Sequence, residues 1–250
     1  NVAGAGATPT AGSVKIDGSN LGSALAGSIA ATRLSANTTA GFSIVEYAGT
    51  GTTATIAHGL SVAPELIIIK DMSAITEWPV YSETMGNANR LELNGATGEQ
   101  ATNNWDSTST TASVFTVKGG ETRVNVSGDD YIAYCFHSIE GYSKVGGYTG
   151  TGTTDGAFVY TGFEPKFVIT KRVNGSGGWA MFDRVRYPAN VVANKLWANL
   201  NDGVVTPEPL VDFVSNGMKW RDGGSPYNGS SDTYVFLAIA EDPFKTSNAR

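Results

Sequence analysis

The chain has 250 residues, a net charge of -6 and only 16% charged residues, against a usual share of about 25%. Thr, Ser, Asn and the 31 glycines fill the gap, so the surface dissolves through neutral hydrogen-bonding groups. That balance excludes the basic stripe that holds nucleic acid and gives no electrostatic hold on an anionic membrane. No apolar run approaches the ~20 residues of a membrane span.

Residues 1–40 are mostly Gly, Ala, Ser and Thr, with few large apolar side chains. Such a stretch cannot sustain a core of its own, and it reads as an extended arm or linker that needs the rest of the chain or a neighbouring subunit to lie on. Ser13–Asp17 is its one short strand candidate. From Gly41 onward, short runs of Val, Ile, Phe and Tyr alternate with Gly, Asn and Asp, the pattern of strands and turns. The candidates between 41 and 140 are Phe42–Tyr47, Thr53–Ala57, Glu65–Lys70, Pro79–Ser82, Leu91–Leu93, Val114–Val117 and Tyr131–His137. Between 141 and 250 they are Gly156–Tyr160, Lys166–Lys171, Trp179–Asp183, Lys195–Leu200, Gly217–Trp220 and Thr233–Ala240. No window has a convincing helical period; Ala189–Leu200 comes nearest, and Val191, Val192 and Asn194 weaken it.

The two halves say nearly the same thing. Gly49-Thr50-Gly51-Thr52-Thr53 returns as Gly150-Thr151-Gly152-Thr153-Thr154. Pro64-Glu65-Leu66-Ile67-Ile68-Ile69-Lys70 returns as Pro165-Lys166-Phe167-Val168-Ile169-Thr170-Lys171, and Trp78 and Trp179 follow at the same offset as core anchors. Polar turns at Asn125–Asp130 and Asn228–Asp232 each feed a long closing strand. Repetition at this period means one folding unit copied. The fold class read from this is all-β: two tandem β-sandwich, jelly-roll-like repeats over 41–140 and 141–250, with the extended N-terminal arm over 1–40.

The chemistry of sites is sparse. Gly49-Thr50-Gly51 and Gly150-Thr151-Gly152 lack the third glycine and following helix of a dinucleotide loop and read as turns. The two histidines, His58 and His137, have no metal-ligand spacing. The equivalent of His58 in the second copy falls near Val159 or Tyr160, so His58 reads as a strand-end hydrogen-bonding residue. Cys135 reads as a small buried side chain, and a Cys135–His137 dyad lacks an orienting third group. Glu77, Glu83, Glu92 and Glu99 crowd one region and raise the question of a glycosidase pair. Asp129, Asp130 and Asp232 sit on turns, where calcium ligation competes with ordinary turn bonding. No catalytic, cofactor-binding or metal residue is assigned. Trp105, Tyr187, Trp197, Trp220 and Tyr227 lie in polar or Gly-rich surroundings and are the candidates for surface or glycan contact.

Four stretches carry a resemblance. They are Thr32–Val45, His58–Lys70, Tyr131–His137 and the tail Ala240–Arg250. Over about residues 32–250 the chain resembles a duplicated β-domain family found at the C-terminus of marine bacteriophage tail fibre and other virion structural proteins, often behind a concanavalin A-like lectin domain. The resemblance implies a non-enzymatic virion structural protein without cofactors, most simply a tail fibre or appendage component for host attachment. It implies self-association, with a trimer as the usual assembly, contacts to other virion subunits, and a host surface glycan or receptor as partner. Assembly in the host cytoplasm and display outside on the mature particle would follow. A capsid decoration or head-fibre protein is the alternative, and a polysaccharide-degrading tailspike is the third reading.

Overall fold

The computed structural model describes residues 10, 12–23, 25–204 and 209–240. It is all-β, with several sheets and no helix among the described residues. The chain divides into two compact units. The first takes the described residues through Leu93 together with Gln100–His137. The second takes Asn94–Glu99 together with the described residues from Ser138 onward.

The first unit holds β1 (Val14–Ile16), β2 (Ser19–Asn20), β3 (Ala31–Asn37), β4 (Phe42–Ala48), β5 (Ala54–Ala57), β6 (Leu66–Asp71) and β7 (Pro79–Ser82). It continues with β8 (Asn89–Glu92), β9 (Gln100–Ala101), β10 (Val114–Val117) and β11 (Asp130–Phe136). Nine strands form one sheet in the order β2-β1-β3-β4-β11-β6-β7-β8-β9, and β5 pairs with β10 in a second. Val45, Ile67 and Ala133 of the large sheet and Ile56, Phe115 and Val117 of the small one share a single core, a sandwich-like arrangement. β11 is central because its inward positions Tyr131, Ala133 and Cys135 are all fully buried, as expected for a strand flanked on both sides.

Residues 12–23 and 25–40 are not set apart from this unit. β1 and β3 extend its large sheet, and Val14, Ile29, Ala31, Leu34 and Ala36 are buried in its core. A segment too poor in apolar surface to hold a core of its own adds a few side chains to one that already exists. The described part of the stretch read as an arm thus supplies β1, β2 and β3 and the turns between them; residues 1–9, 11 and 24 lie outside the described residues.

The second unit holds β12 (Ser143–Thr149), β13 (Phe158–Tyr160), β14 (Pro165–Arg172), β15 (Ala180–Asp183), β16 (Leu196–Trp197), β17 (Val211–Val214), β18 (Gly217–Trp220) and β19 (Thr233–Ala240). Its sheets run β12-β19-β14-β15-β16 and β13-β18-β17. Val168, Phe182, Phe236 and Ala238 meet Val159, Phe213, Met218 and Trp220 in its core. The stretch Asn94–Glu99 is bound into this unit. Glu99 N–H donates to Val173 O at 2.6 Å, Gly177 N–H to Ala96 O at 2.8 Å, and the buried Lys171 Nζ to Ala96 O at 3.1 Å.

A buried asparagine fixes the Gly-Thr-Gly loop of each unit. In the first, Asn125 Oδ1 accepts from Thr50 N–H at 2.8 Å and its Nδ2 donates to Thr52 O at 2.7 Å. In the second, Asn228 Oδ1 accepts from Thr151 N–H at 3.0 Å and its Nδ2 donates to Thr153 O at 2.9 Å and Asp222 O at 2.8 Å. A tyrosine pair braces each turn from below. Tyr47 stacks on Tyr131 (5.2 Å, 15°), with Tyr47 OH donating to Val124 O and Tyr131 OH accepting from Val126 N–H. Tyr148 stacks on Tyr234 (4.8 Å, 12°), with Tyr148 OH donating to Tyr227 O and Tyr234 OH accepting from Gly229 N–H. Gly49 and Gly150 are required by close approach, since a Cβ there would overlap the carbonyl oxygens of Val126 and Gly229.

Candidate interaction face

β12 and β13 each lie at the end of a sheet in the second unit. On β13 the side chains alternate: Val159 is buried, whereas Phe158 and Tyr160 are 49% and 66% exposed. Gly217 stands opposite Tyr160 in the ladder, and a Cβ there would come within 3.0 Å of the Phe158 ring. The missing side chain lets the ring lie over glycine backbone. Lys219, opposite Phe158, pairs with Asp155 at 2.9 Å, and Arg221 pairs with Asp212. Two aromatic rings thus sit on a surface whose charges cancel locally.

Among the described residues no strand lies beyond β12 or β13 on this side. Trp220 N–H donates to Ala157 O, so Ala157 and Val159 bond towards β18, and the N–H and C=O groups of Phe158 and Tyr160 point off the sheet. On β12, Ser143 N–H donates to Ile139 O and Val145 N–H to Ser138 Oγ. By the same alternation Gly147 and Thr149, both exposed, direct their backbone groups to that outer edge. In the first unit β4 and β5 each have chain alongside them. There β3 pairs along β4, and Thr55 O of β5 accepts from Ser28 N–H and Ile29 N–H, both at 2.9 Å, while Thr55 N–H donates to Ser28 Oγ. Residues 27–37 close that side.

Three of the five aromatics expected at the surface are buried, which corrects that expectation. Trp105 is 2% exposed, donates from Nε1 to Asn89 O at 3.1 Å and packs edge-on against Tyr81. Trp220 is fully buried, stacked on Tyr227 (5.3 Å, 13°) with Phe182 edge-on to both. Their polar sequence neighbours belong to loops, while the rings themselves have neighbours distant in sequence that supply the apolar surroundings. Trp197 and Tyr187 are half-buried, and Lys195 Nζ lies 5.5 Å from the Trp197 ring centre and bonds Tyr227 OH at 2.9 Å. Phe158 and Tyr160 are the exposed rings that the sequence reading passed over. Their signal was the i, i+2 spacing in Phe158-Val159-Tyr160, masked by an apolar residue between them.

The acid, base and thiol candidates have structural occupations. Arg123 Nε reaches Glu77 Oε2 at 2.8 Å and Glu92 Oε1 at 4.0 Å, so a cation fills the space between the two carboxylates. The Glu77 carboxyl is held below its usual range by its own backbone N–H and by Arg123, the opposite of what a general acid needs. His58 donates from Nε2 to Thr111 O and accepts from Leu60 N–H at Nδ1. Burial lowers it to about 4, against the raising effect of its hydrogen bond to Thr111 O. Burial pushes the Cys135 thiol up to about 12, away from thiolate chemistry. Asp232 is engaged by Arg172 at 2.6 Å. Among the described residues no three His, Cys, Asp or Glu side chains gather as for a metal ion.

No curated protein and no solved structure matches the chain. Residues 10–243 match a family model described as a domain of unknown function, DUF7483, which spans both units. With nearly its whole length covered, the chain belongs to the DUF7483 family.

Proposed function

We propose that the chain is a non-enzymatic structural module of a bacteriophage virion, built from two tandem β-sandwich repeats and serving in a tail fibre or appendage that contacts the host surface. The large sheet of the first unit contains the run β4-β11-β6-β7-β8 and the second unit runs β12-β19-β14-β15-β16, strand for strand in the same order, with β5-β10 answered by β13-β18. Such a match supports duplication of one scaffold.

The observation that carries the reading is which chemistry recurs. The asparagine clamp, the stacked tyrosines and the glycine loop recur as Tyr47, Thr50, Asn125, Tyr131 and Tyr148, Thr151, Asn228, Tyr234. What is repeated is a device for holding surface loops still. The histidines, the cysteine and the clustered glutamates do not recur. His58 aligns through the positive-φ glycines Gly59 and Gly162 with Thr161, whose Oγ1 likewise bonds the backbone two residues on, at Phe163. That puts the counterpart of His58 one or two positions beyond Val159 and Tyr160. A position filled by His in one copy and Thr in the other serves the backbone. The module therefore works as a rigid surface, self-associating and meeting other virion subunits and a host glycan or receptor.

Gold-labelled antibody against the chain on intact particles tests this. Label along the tail or its appendages is expected. Dense label over the head would favour a decoration protein instead, and unlabelled particles would overturn the virion assignment. Incubation with host envelope polysaccharide should give binding without newly formed reducing ends; released sugar would favour the tailspike reading.

A further inference from the structure

We infer that the open side of the second unit is the surface through which the chain associates with a second copy of itself, whose extended strand meets the outer edges of β12 and β13. This rests on the reading of the two units as copies of one scaffold. In the first unit the edges of β4 and β5 are closed by residues 27–37, which bond Thr55 on one sheet and pair along β4 on the other. In the second unit the equivalent edges end their sheets among the described residues.

The second unit cannot close itself in the same way. Its lead-in from the first unit is the five residues 138–142. These bond Ser143 and Val145, and by strand alternation the backbone groups of Gly147, Thr149, Phe158 and Tyr160 are directed outward. Unpaired edges of this kind recruit a strand from another chain unless blocked by charge, proline or a bulge. None of these four residues is charged or proline. Phe158 and Tyr160 stand exposed where the first unit has Thr55 and the 2%-exposed Ala57, and exposed aromatic rings are enriched at protein interfaces. The charge pattern selects a second copy over a charged partner. The chain carries -6, yet on this side Lys219 pairs with Asp155 and Arg221 with Asp212. Like surfaces can meet there without unpaired like charges.

Sedimentation velocity and light-scattering mass on the whole chain, over a wide concentration range, test the inference. The wild-type chain should associate. Phe158→Lys with Tyr160→Lys, and separately Thr149→Pro, should raise the apparent dissociation constant at least about tenfold. Both act at exposed positions, and unchanged circular dichroism and melting would verify folding. Ile75→Lys, at a fully exposed side chain of the first unit, should leave association unchanged. A wild-type chain that stays monomeric throughout, or variants that associate as tightly as wild type, would overturn the inference. A monomer in which alanine at Asn125 and at Asn228 still destabilises the protein overturns self-association alone and leaves the duplicated scaffold standing.

Discussion

Replacing Asn228 by alanine removes one fully buried amide and strands four backbone groups at once. Oδ1 serves the N–H groups of Thr151 at 3.0 Å and Ala157 at 3.3 Å, and Nδ2 serves the C=O groups of Thr153 at 2.9 Å and Asp222 at 2.8 Å. A buried polar group left without its partner costs about 1–3 kcal/mol, and a hydrogen bond replaced by water about 1 kcal/mol. Thr151 and Thr153 lie in an exposed loop where water can enter, so they belong at the low end; Ala157 is buried. The total is about 4 kcal/mol, a large fraction of the 5–15 kcal/mol typical of a domain. Asn125 serves two groups, Thr50 N–H and Thr52 C=O, so its alanine variant should cost about 2 kcal/mol. Urea unfolding followed by tryptophan fluorescence gives both costs, and hydrogen exchange should show residues 150–157 losing protection in Asn228→Ala. A cost for Asn228→Ala below about 0.5 kcal/mol, or below that of Asn125→Ala, would refute the reasoning.

Acid stability carries a signature of His58. Its folded value is about 4 against about 6.5 unfolded, so the unfolded chain binds more protons between these limits and stability falls as pH drops through them, by at most about 3 kcal/mol. His58→Gln should remove that part of the slope in urea titrations from pH 7 to 4. Lys171 acts at the other end. Desolvation lowers it to about 8 against about 10.4 unfolded, so stability should rise with pH across that window and Lys171→Met should flatten the rise. Cys135, fully buried with its thiol near 12, should resist an aromatic disulfide reagent in the native protein and react on unfolding; fast native labelling would contradict its placement. Gly49→Ala and Gly150→Ala each push a methyl into a backbone carbonyl and should destabilise by roughly 3 kcal/mol in the same urea assay.

The sequence made the long apolar strands plain. β6, β11, β14 and β19 are β-branched and aromatic runs bounded by turn residues, and all four lie within their sheets, flanked by strands on both sides. β3 and β12 escaped notice because Ala-Thr-Arg-Leu-Ser-Ala-Asn and Ser-Lys-Val-Gly-Gly-Tyr-Thr offer few large side chains to alternate. Their strand character comes from pairing with β4 and β19, a tertiary effect that overrides weak local preference. Trp220 and Tyr227 misled for a related reason: Arg221-Asp222-Gly223-Gly224 reads as exposed loop, yet the rings turn inward to stack on each other. The exposed pair Phe158 and Tyr160 needed the topology to become visible, since only the end position of β13 leaves their face bare. The asparagine clamps were legible only as polar turns. Nothing local in Asn125 or Asn228 announces a partner more than 70 residues away.

The proposal of one scaffold used twice, with residues 27–37 along β4 and β5 and no described strand beyond β12 and β13, makes a direct claim about backbone amides. Hydrogen exchange on the dilute chain and on the concentrated, associated chain tests it. The amides of Thr55 and Ile29 should be protected in both, whereas those of Gly147, Thr149, Phe158 and Tyr160 should exchange rapidly when dilute and slow markedly on association. Equal exchange of those four amides in both states, or protection already complete in the dilute monomer, would contradict the account.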